Sequence, residues 1–337
     1  MRALLVFALL VPVALPAQRP PSGTVLSTTV SVPFGADSRP RDPFVDAQGR
    51  VWFVGQQGNY VAYLDPRAKQ FRRYDIDAGT NPHNLVVERG MVWFTGNRNG
   101  RLVRLDPATG RLTTFAIPDS SVRDPHTLTF DPRSGIAWFT AQNAGAVGRF
   151  DPATGRFRLW KTGAGSRPYG IVLDSHGHPW FDLFGTNRLG TIDPATMTLT
   201  QHELPAKDAH PRRIAITSTD QLYWGDYTRG YLGHLDPRTG RMDEVPLPAG
   251  RAALPYGMAT DDRDVIWVAQ NGQASSPATV VPFDPRTRRF GTPIPVGAPG
   301  PNTIRHITFD RASRRLWFGT DQGDLGSIPV PAPALVP

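Results

Sequence analysis

Short runs of apolar residues alternating with polar ones, broken by Gly, Asn and Asp-Pro, fill the chain from about residue 25 to 330. One stretch shows the pattern well: His83–Glu88, Met91–Gly96, Arg101–Asp106 and Arg111–Ile117. Alternation of period two separated by tight turns predicts four antiparallel strands joined by hairpins. Asp106-Pro107-Ala108-Thr109-Gly110-Arg111 predicts the last hairpin in particular. Proline presets the first corner of a type I turn, and glycine accepts the left-handed position that follows.

The same unit recurs along the chain. Asp-Pro stands at 65, 106, 151, 193, 236 and 284, at intervals of 41 to 48 residues. An aromatic pair or near-pair precedes each: Trp52-Phe53, Trp93-Phe94, Trp138-Phe139, Trp180-Phe181, Tyr223-Trp224 and Trp267-Val268, with Trp317-Phe318 as a seventh. Four strands in a unit of this length make a propeller blade, and stacked blades bury both sheet faces. The pattern therefore predicts an all-β, seven-bladed β-propeller with four-stranded antiparallel blades. The seventh unit ends near Val330 without a fourth strand, so Val25–Pro33 is expected to pair there and close the ring. Residues 25–337 then form one domain, with blades near 40–78, 82–119, 125–163, 168–205, 211–248, 255–296 and 304–330 plus 25–33. The sixth unit carries about four extra residues around Asn271–Pro277, expected to be the most mobile stretch of the mature chain and, leaving the face that carries the channel mouth, to be able to cover it.

Composition narrows the picture. Gly and Pro at 33 and 34 residues argue against helical bundles, and 39% hydrophobic content is enough for a core. The absence of Cys removes disulfides and thiolate chemistry. A net charge of +8 comes almost wholly from scattered Arg without long basic runs, which is a solvated surface rather than a nucleic-acid face. Residues 1–17 read as a secretory signal and 18–24 as a flexible leader, implying an exported, periplasmic or extracellular protein with no membrane span, expected to be a monomer.

Candidate chemistry follows from aligning the units. The starts of the inner strands and the ends of the second strands share one face of the ring. The former carry Arg41, His83, His126, Tyr169, Arg212, Tyr256 and Arg305, and the latter Gly55, Gly96, Ala141, Leu183, Asp226, Gln270 and Thr320. A mouth of Arg, Tyr and His suits an anionic or carbonyl-bearing small molecule or peptide with flat groups. His126 is the candidate catalytic base, and the other ring residues are candidate ligand contacts. Asp124 reads as either a metal ligand or a turn former, Asp226 as a weaker metal candidate or the ion-pair partner of Arg212. Asp182 is expected on the other side of its strand.

The repeated motif, as in RPYGIVLDSHGHPWFDLFGTNRLGTIDP at 167–194, resembles the streptogramin B lyase (virginiamycin B lyase-like) family. The resemblance covers nearly the whole chain after the leader. It implies Mg²⁺-assisted opening of a cyclic depsipeptide ester at a C–O bond by elimination. It matches His83 in Asn81-Pro82-His83 and His126 in Asp124-Pro125-His126 to family site residues, with Asp124 standing where the family has Glu. The family's further Glu falls at Ala141, so a carboxylate is missing. A non-catalytic binding or sensor propeller is the alternative. Sugar-lactonase propellers fit less well, because no acidic residue is read at the start of the first inner strand. WD-repeat scaffolds are disfavoured by missing Trp-Asp and Gly-His pairs.

Overall fold

Prolines at 40, 82, 125, 168 and 211 open the inner strands of five blades, where an extended backbone with a fixed φ is wanted. The computed structural model describes residues 25–35 and 38–331. The expected signal and leader lie outside these residues. Seven antiparallel sheets follow one another in chain order around a central channel. Blade 2, for example, runs Pro82–Glu88, Met91–Gly96, Arg101–Leu105, Leu112–Ala116, innermost to outermost.

The N-terminal strand Thr28–Ser31 pairs antiparallel with Asp324–Pro329, the third strand of blade 7, in the register Thr28↔Ser327 to Ser31↔Asp324. That sheet thus contains both ends of the described chain. Blade 6 departs from four strands. Its outer edge is split between Arg289–Phe290 and Ile294–Val296, both paired with Ala278–Asp284. The insertion at 271–277 is knitted to the linker before blade 7: Gly272 N–H donates to Asn302 O at 2.8 Å and Gly300 N–H to Gln273 O at 2.9 Å. Its other contacts go to Ala252 and Ala253, rather than to the ring residues at the mouth.

The aromatic pairs explain how blades adhere. Adjacent strand residues point to opposite sheet faces. Each pair therefore serves two interfaces. Trp52 packs with Phe94 of the next blade, Trp93 with Phe139, Trp138 with Phe181, and Trp317 closes the circle on Phe53. Third-strand glycines make room for the second aromatic. A Cβ on Gly148 would stand 2.1 Å from the Phe139 ring. The hairpin at 106–111 forms as expected, with Gly110 at φ 74° and its N–H on Asp106 O at 2.8 Å.

Six inner strands share a feature that alternation does not show. The pairing slips by one residue just after the strand start, for instance from Pro82↔Gly96 to Leu85↔Phe94, and from Pro211↔Asp226 to Ile214↔Trp224. A bulge of this kind sets two consecutive residues against one.

Candidate functional site

All seven ring residues converge. The His83 and His126 rings lie 3.5 Å apart, His126 and Tyr169 4.0 Å, and Tyr169 and Tyr256 6.0 Å, centre to centre. The hydroxyls of Tyr169 and Tyr256 are hydrogen-bonded. Arg305 Nη1 lies 3.5 Å from Tyr256 Oη and its guanidinium forks onto Asp321 at 2.8 and 2.6 Å. Arg41 donates to Asp42 at 2.9 Å and to Gln56 at 3.0 Å. Arg212 sits in an aromatic box, its guanidinium carbon 3.9 Å from the Tyr256 ring centre, 4.1 Å from Tyr227 and 4.8 Å from Phe184.

The bulges bring a second tier into the channel from the very next positions. Asp42, fully buried, accepts from Arg41, from Asn84 Nδ2 at 3.0 Å and from Arg213 Nη2 at 3.3 Å. Arg213 also donates to Thr127 Oγ1 at 3.1 Å and to Arg305 O at 3.1 Å, so one side chain ties blade 5 to blades 1, 3 and 7. Asp42, Asn84, Thr127, Arg213 and His306 are absent from the sequence reading. Asp42 is two residues past Pro40, and so corrects the reading that the first inner strand starts without an acid. The signal was the dipeptide after each strand start, Arg41-Asp42, Arg212-Arg213 and Arg305-His306, which strict alternation sent to opposite faces. Beyond this tier the channel forms a cavity of about 360 Å³ lined by Arg213, His306 and Thr127 with Val86, Val172 and Ile216.

Charge in this layer is lopsided. Burial alone would raise the Asp42 carboxyl, but Arg41, Arg213 and the approach of His306 hold it far below the usual carboxylate range. Burial, then neighbouring guanidinium groups, push His83 and His126 well below an ordinary imidazole, and burial takes His306 down to about 4 against the opposing pull of Asp42. The three are therefore neutral at pH 7. Tyr169 is pushed up to about 12, by burial first and by Tyr256 second. For Tyr256 burial acts upward, yet Arg212, Arg41, Arg305 and Arg213 outweigh it and draw the phenol down to about 7.

Thr127 Oγ1 accepts from Arg213 and lies 2.9 Å from His126 Nδ1. An arginine only donates, so the arrangement that employs the Thr127 proton has the hydroxyl donating to Nδ1 and the imidazole proton on Nε2. His126 Nε2 and His83 Nδ1 are buried without partners.

The carboxylates expected to hold a metal are otherwise engaged. Asp124 accepts from the backbone N–H groups of Asn143 and Ala144, the turn-forming role. Asp226 pairs with Arg229 at 3.0 Å, and not with Arg212 as the sequence suggested, because Arg229 sits three residues on in the same hairpin. Its other oxygen takes the N–H groups of His210 and Arg229. Ala141 is wholly buried in an apolar cluster. Asp182 lies under the neighbouring inner strand, accepting from Gly170 N–H at 2.9 Å, and burial raises its carboxyl well above the usual range. No group of three or more His, Asp or Glu side chains suited to a metal occurs among the described residues. Mg²⁺ needs carboxylate oxygens free to bind it, and this donor set does not fit it.

Comparison with known proteins agrees with the fold. The virginiamycin B lyase family model matches residues 86–318. A streptogramin B lyase structure superposes with a TM-score of 0.80 at 22% identity, covering 91% of this chain and 98% of that one. Selenomethionine-substituted virginiamycin B lyase from Staphylococcus aureus gives 0.80 at 20% identity, over 91% and 100%. A catalytically inactive variant of virginiamycin B lyase from the same organism, with quinupristin, gives 0.81 at 20%, over 91% and 100%. No curated protein sequence matches the chain.

Proposed function

This chain belongs to the virginiamycin B lyase family, and from that footing we propose that its channel mouth captures a small molecule or peptide through a carboxylate or ester carbonyl. The observation that carries the reading is Arg212. It is a half-buried guanidinium with aromatic rings around it and no carboxylate within ion-pairing distance among the described residues, and its Nε is without a partner. Arg41, Arg213 and Arg305 each have an acid; Arg212 does not. A guanidinium fork matches a carboxylate, and the flat walls suit an aromatic or ester-linked body.

C–O elimination is the second reading, favoured by family membership and by the free nitrogens of His83 and His126. In an elimination the proton beside a carbonyl passes to a base, for which the unpartnered His83 Nδ1 is available, the C–O bond breaks, and a carboxylate departs as a double bond forms. Here the developing negative charge would be met by guanidinium groups and by the His126 Nε2–H rather than by Mg²⁺. His126 serves as the base only through its other tautomer. Capture by an exported protein, as the N-terminal segment suggests, fits either reading.

The test is calorimetry with benzoate and with quinupristin, followed by incubation of quinupristin with and without EDTA. Binding that is lost in Arg212→Gln supports capture. A product of unchanged total mass, formed despite EDTA, supports elimination, and a gain of one water signals hydrolysis instead. No heat with either compound would overturn the capture reading.

A further inference from the structure

We propose that Tyr256 ionises near neutral pH and, as a phenolate, is the resident counter-ion of the arginine ring. The inference starts from a charge count at the channel mouth, where Arg41, Arg213 and Asp42 are buried and Arg212 and Arg305 half-buried. Arg41, Arg212, Arg213 and Arg305 bring four positive charges, and Asp42 and Asp321 answer with two negative ones. Asp182, on blade 4 beside Arg212 and Arg213, has its carboxyl raised well above the usual range by burial, which disfavours its charged form. The three channel histidines are neutral, so they remove none of the excess. A buried positive charge without a partner is costly, and the nearest group able to supply a negative one is a phenol.

Geometry selects Tyr256 from the three tyrosines there. Its ring is 1% exposed and lies under Arg212, with Arg213 at 5.8 Å and Arg305 at 5.5 Å from its centre. Its oxygen faces Arg305 Nη1 on one side and the Tyr169 hydroxyl on the other. A phenolate there accepts from both, whereas in a neutral pair one of the two hydroxyl protons has no acceptor within the pair. Tyr169 touches His126 and has fewer guanidinium groups about it, so it keeps its proton and serves as the donor. Tyr227 lies at the edge of the box, 6.3 Å from Tyr256. Arg39 adds a further positive charge from the rim, and the two acids of the layer are engaged with guanidinium groups, Asp42 with Arg41 and Arg213 and Asp321 with Arg305.

The inference deepens the site described above but can fail separately from it, since its test uses no ligand. Tyrosinate absorbance at 295 nm is followed from pH 5 to 11 in the full chain. One tyrosinate should appear between pH 6 and 8, with the remaining tyrosines ionising near 10 or above. The early step should vanish in Tyr256→Phe and persist in Tyr227→Phe. Should Tyr256→Phe fail to fold, Arg212→Gln provides the check, moving the step upward by about one pH unit or more. An absorbance that rises only above about pH 9 would overturn the proposal. So would an early step that survives Tyr256→Phe, or one that Arg212→Gln leaves in place.

Discussion

Arg213 in blade 5 donates across the channel to Asp42 in blade 1, Nη2 to Oδ2, at 3.3 Å. Residues 171 positions apart are thereby joined in a layer that also holds Arg41 and Asn84. Removing one member of a buried ion network leaves the others uncompensated. Asp42→Asn should therefore cost about 3–5 kcal/mol, read as a lowered urea midpoint. Adding Arg213→Met to that variant should recover part of the loss. An Asp42→Asn protein as stable as the parent would show that the network is not holding the blades together.

Acid should destabilise the protein in two stages. His83, His126 and His306 have folded pKa values below the ordinary imidazole, His306 at about 4. As pH falls through the ordinary histidine range, the unfolded chain takes up protons that the folded one refuses, so stability drops. Asp42 acts in the next window. Its depressed carboxyl contributes fully above the usual carboxylate range and is lost as pH falls through and below it. Urea midpoints at pH 7.5, 5.5 and 4 should fall steadily, and His306→Gln should flatten the upper stage. A constant midpoint over that span is incompatible with the buried neutral histidines.

Ligand capture should take up a proton. A carboxylate arriving at Arg212 competes with the Tyr256 phenolate for the same positive field, and so favours the protonated phenol. Benzoate calorimetry in two buffers of different ionisation enthalpy should show uptake of up to one proton at pH 8 and none in Tyr256→Phe. Arg212→Gln should weaken benzoate by roughly 10-fold or more, the worth of a charge-assisted hydrogen bond. It should leave the melting temperature nearly unchanged. Equal affinity in the two proteins would move the anion site elsewhere.

Restoring the family's glutamate should harm rather than help. Ala141 is wholly buried in an apolar cluster with Leu128, Phe139 and Ala146. Ala141→Glu is expected to lose about 2 kcal/mol or more and to show no Mg²⁺-dependent gain in melting temperature. Asp124→Asn should cost about 1 kcal/mol through the weakened 142–145 turn, again without a metal effect. A Mg²⁺-induced rise in melting temperature in Ala141→Glu would reinstate the metal reading.

The closing strand can be tested by deletion. Thr28–Ser31 covers the edge of Asp324–Pro329, and Val32 and Phe34 pack against Trp317 and Phe53. Without residues 25–33 the last sheet has an open edge and the interface of blades 7 and 1 loses its cover. The melting temperature should fall by several degrees, with a greater tendency to self-associate, as read by light scattering. An unchanged transition would mean the ring closes without that strand.

By itself the sequence determined everything that repeats. Six aromatic pairs and the near-pair Trp267-Val268, at a blade-long spacing, set the number of blades, because a period-two strand must send one residue of each to one interface and the other to the next. The missing seventh Asp-Pro turn marked where the N-terminal strand belongs. The ring of Arg41, His83, His126, Tyr169, Arg212, Tyr256 and Arg305 was legible too, since equivalent positions in a closed ring have to meet. What only the tertiary structure decided lies in the departures from the repeat. The bulges turn Asp42, Arg213 and His306 into the channel, and a one-residue slip in pairing leaves no trace in hydrophobic alternation. Asp226 binds Arg229 because a hairpin brings them together, while Arg212 is left to the aromatic box. The protonation states of the histidines and of Tyr256 depend on how many guanidinium groups from distant blades reach the same few ångströms, a sum of fields that no local stretch of sequence contains.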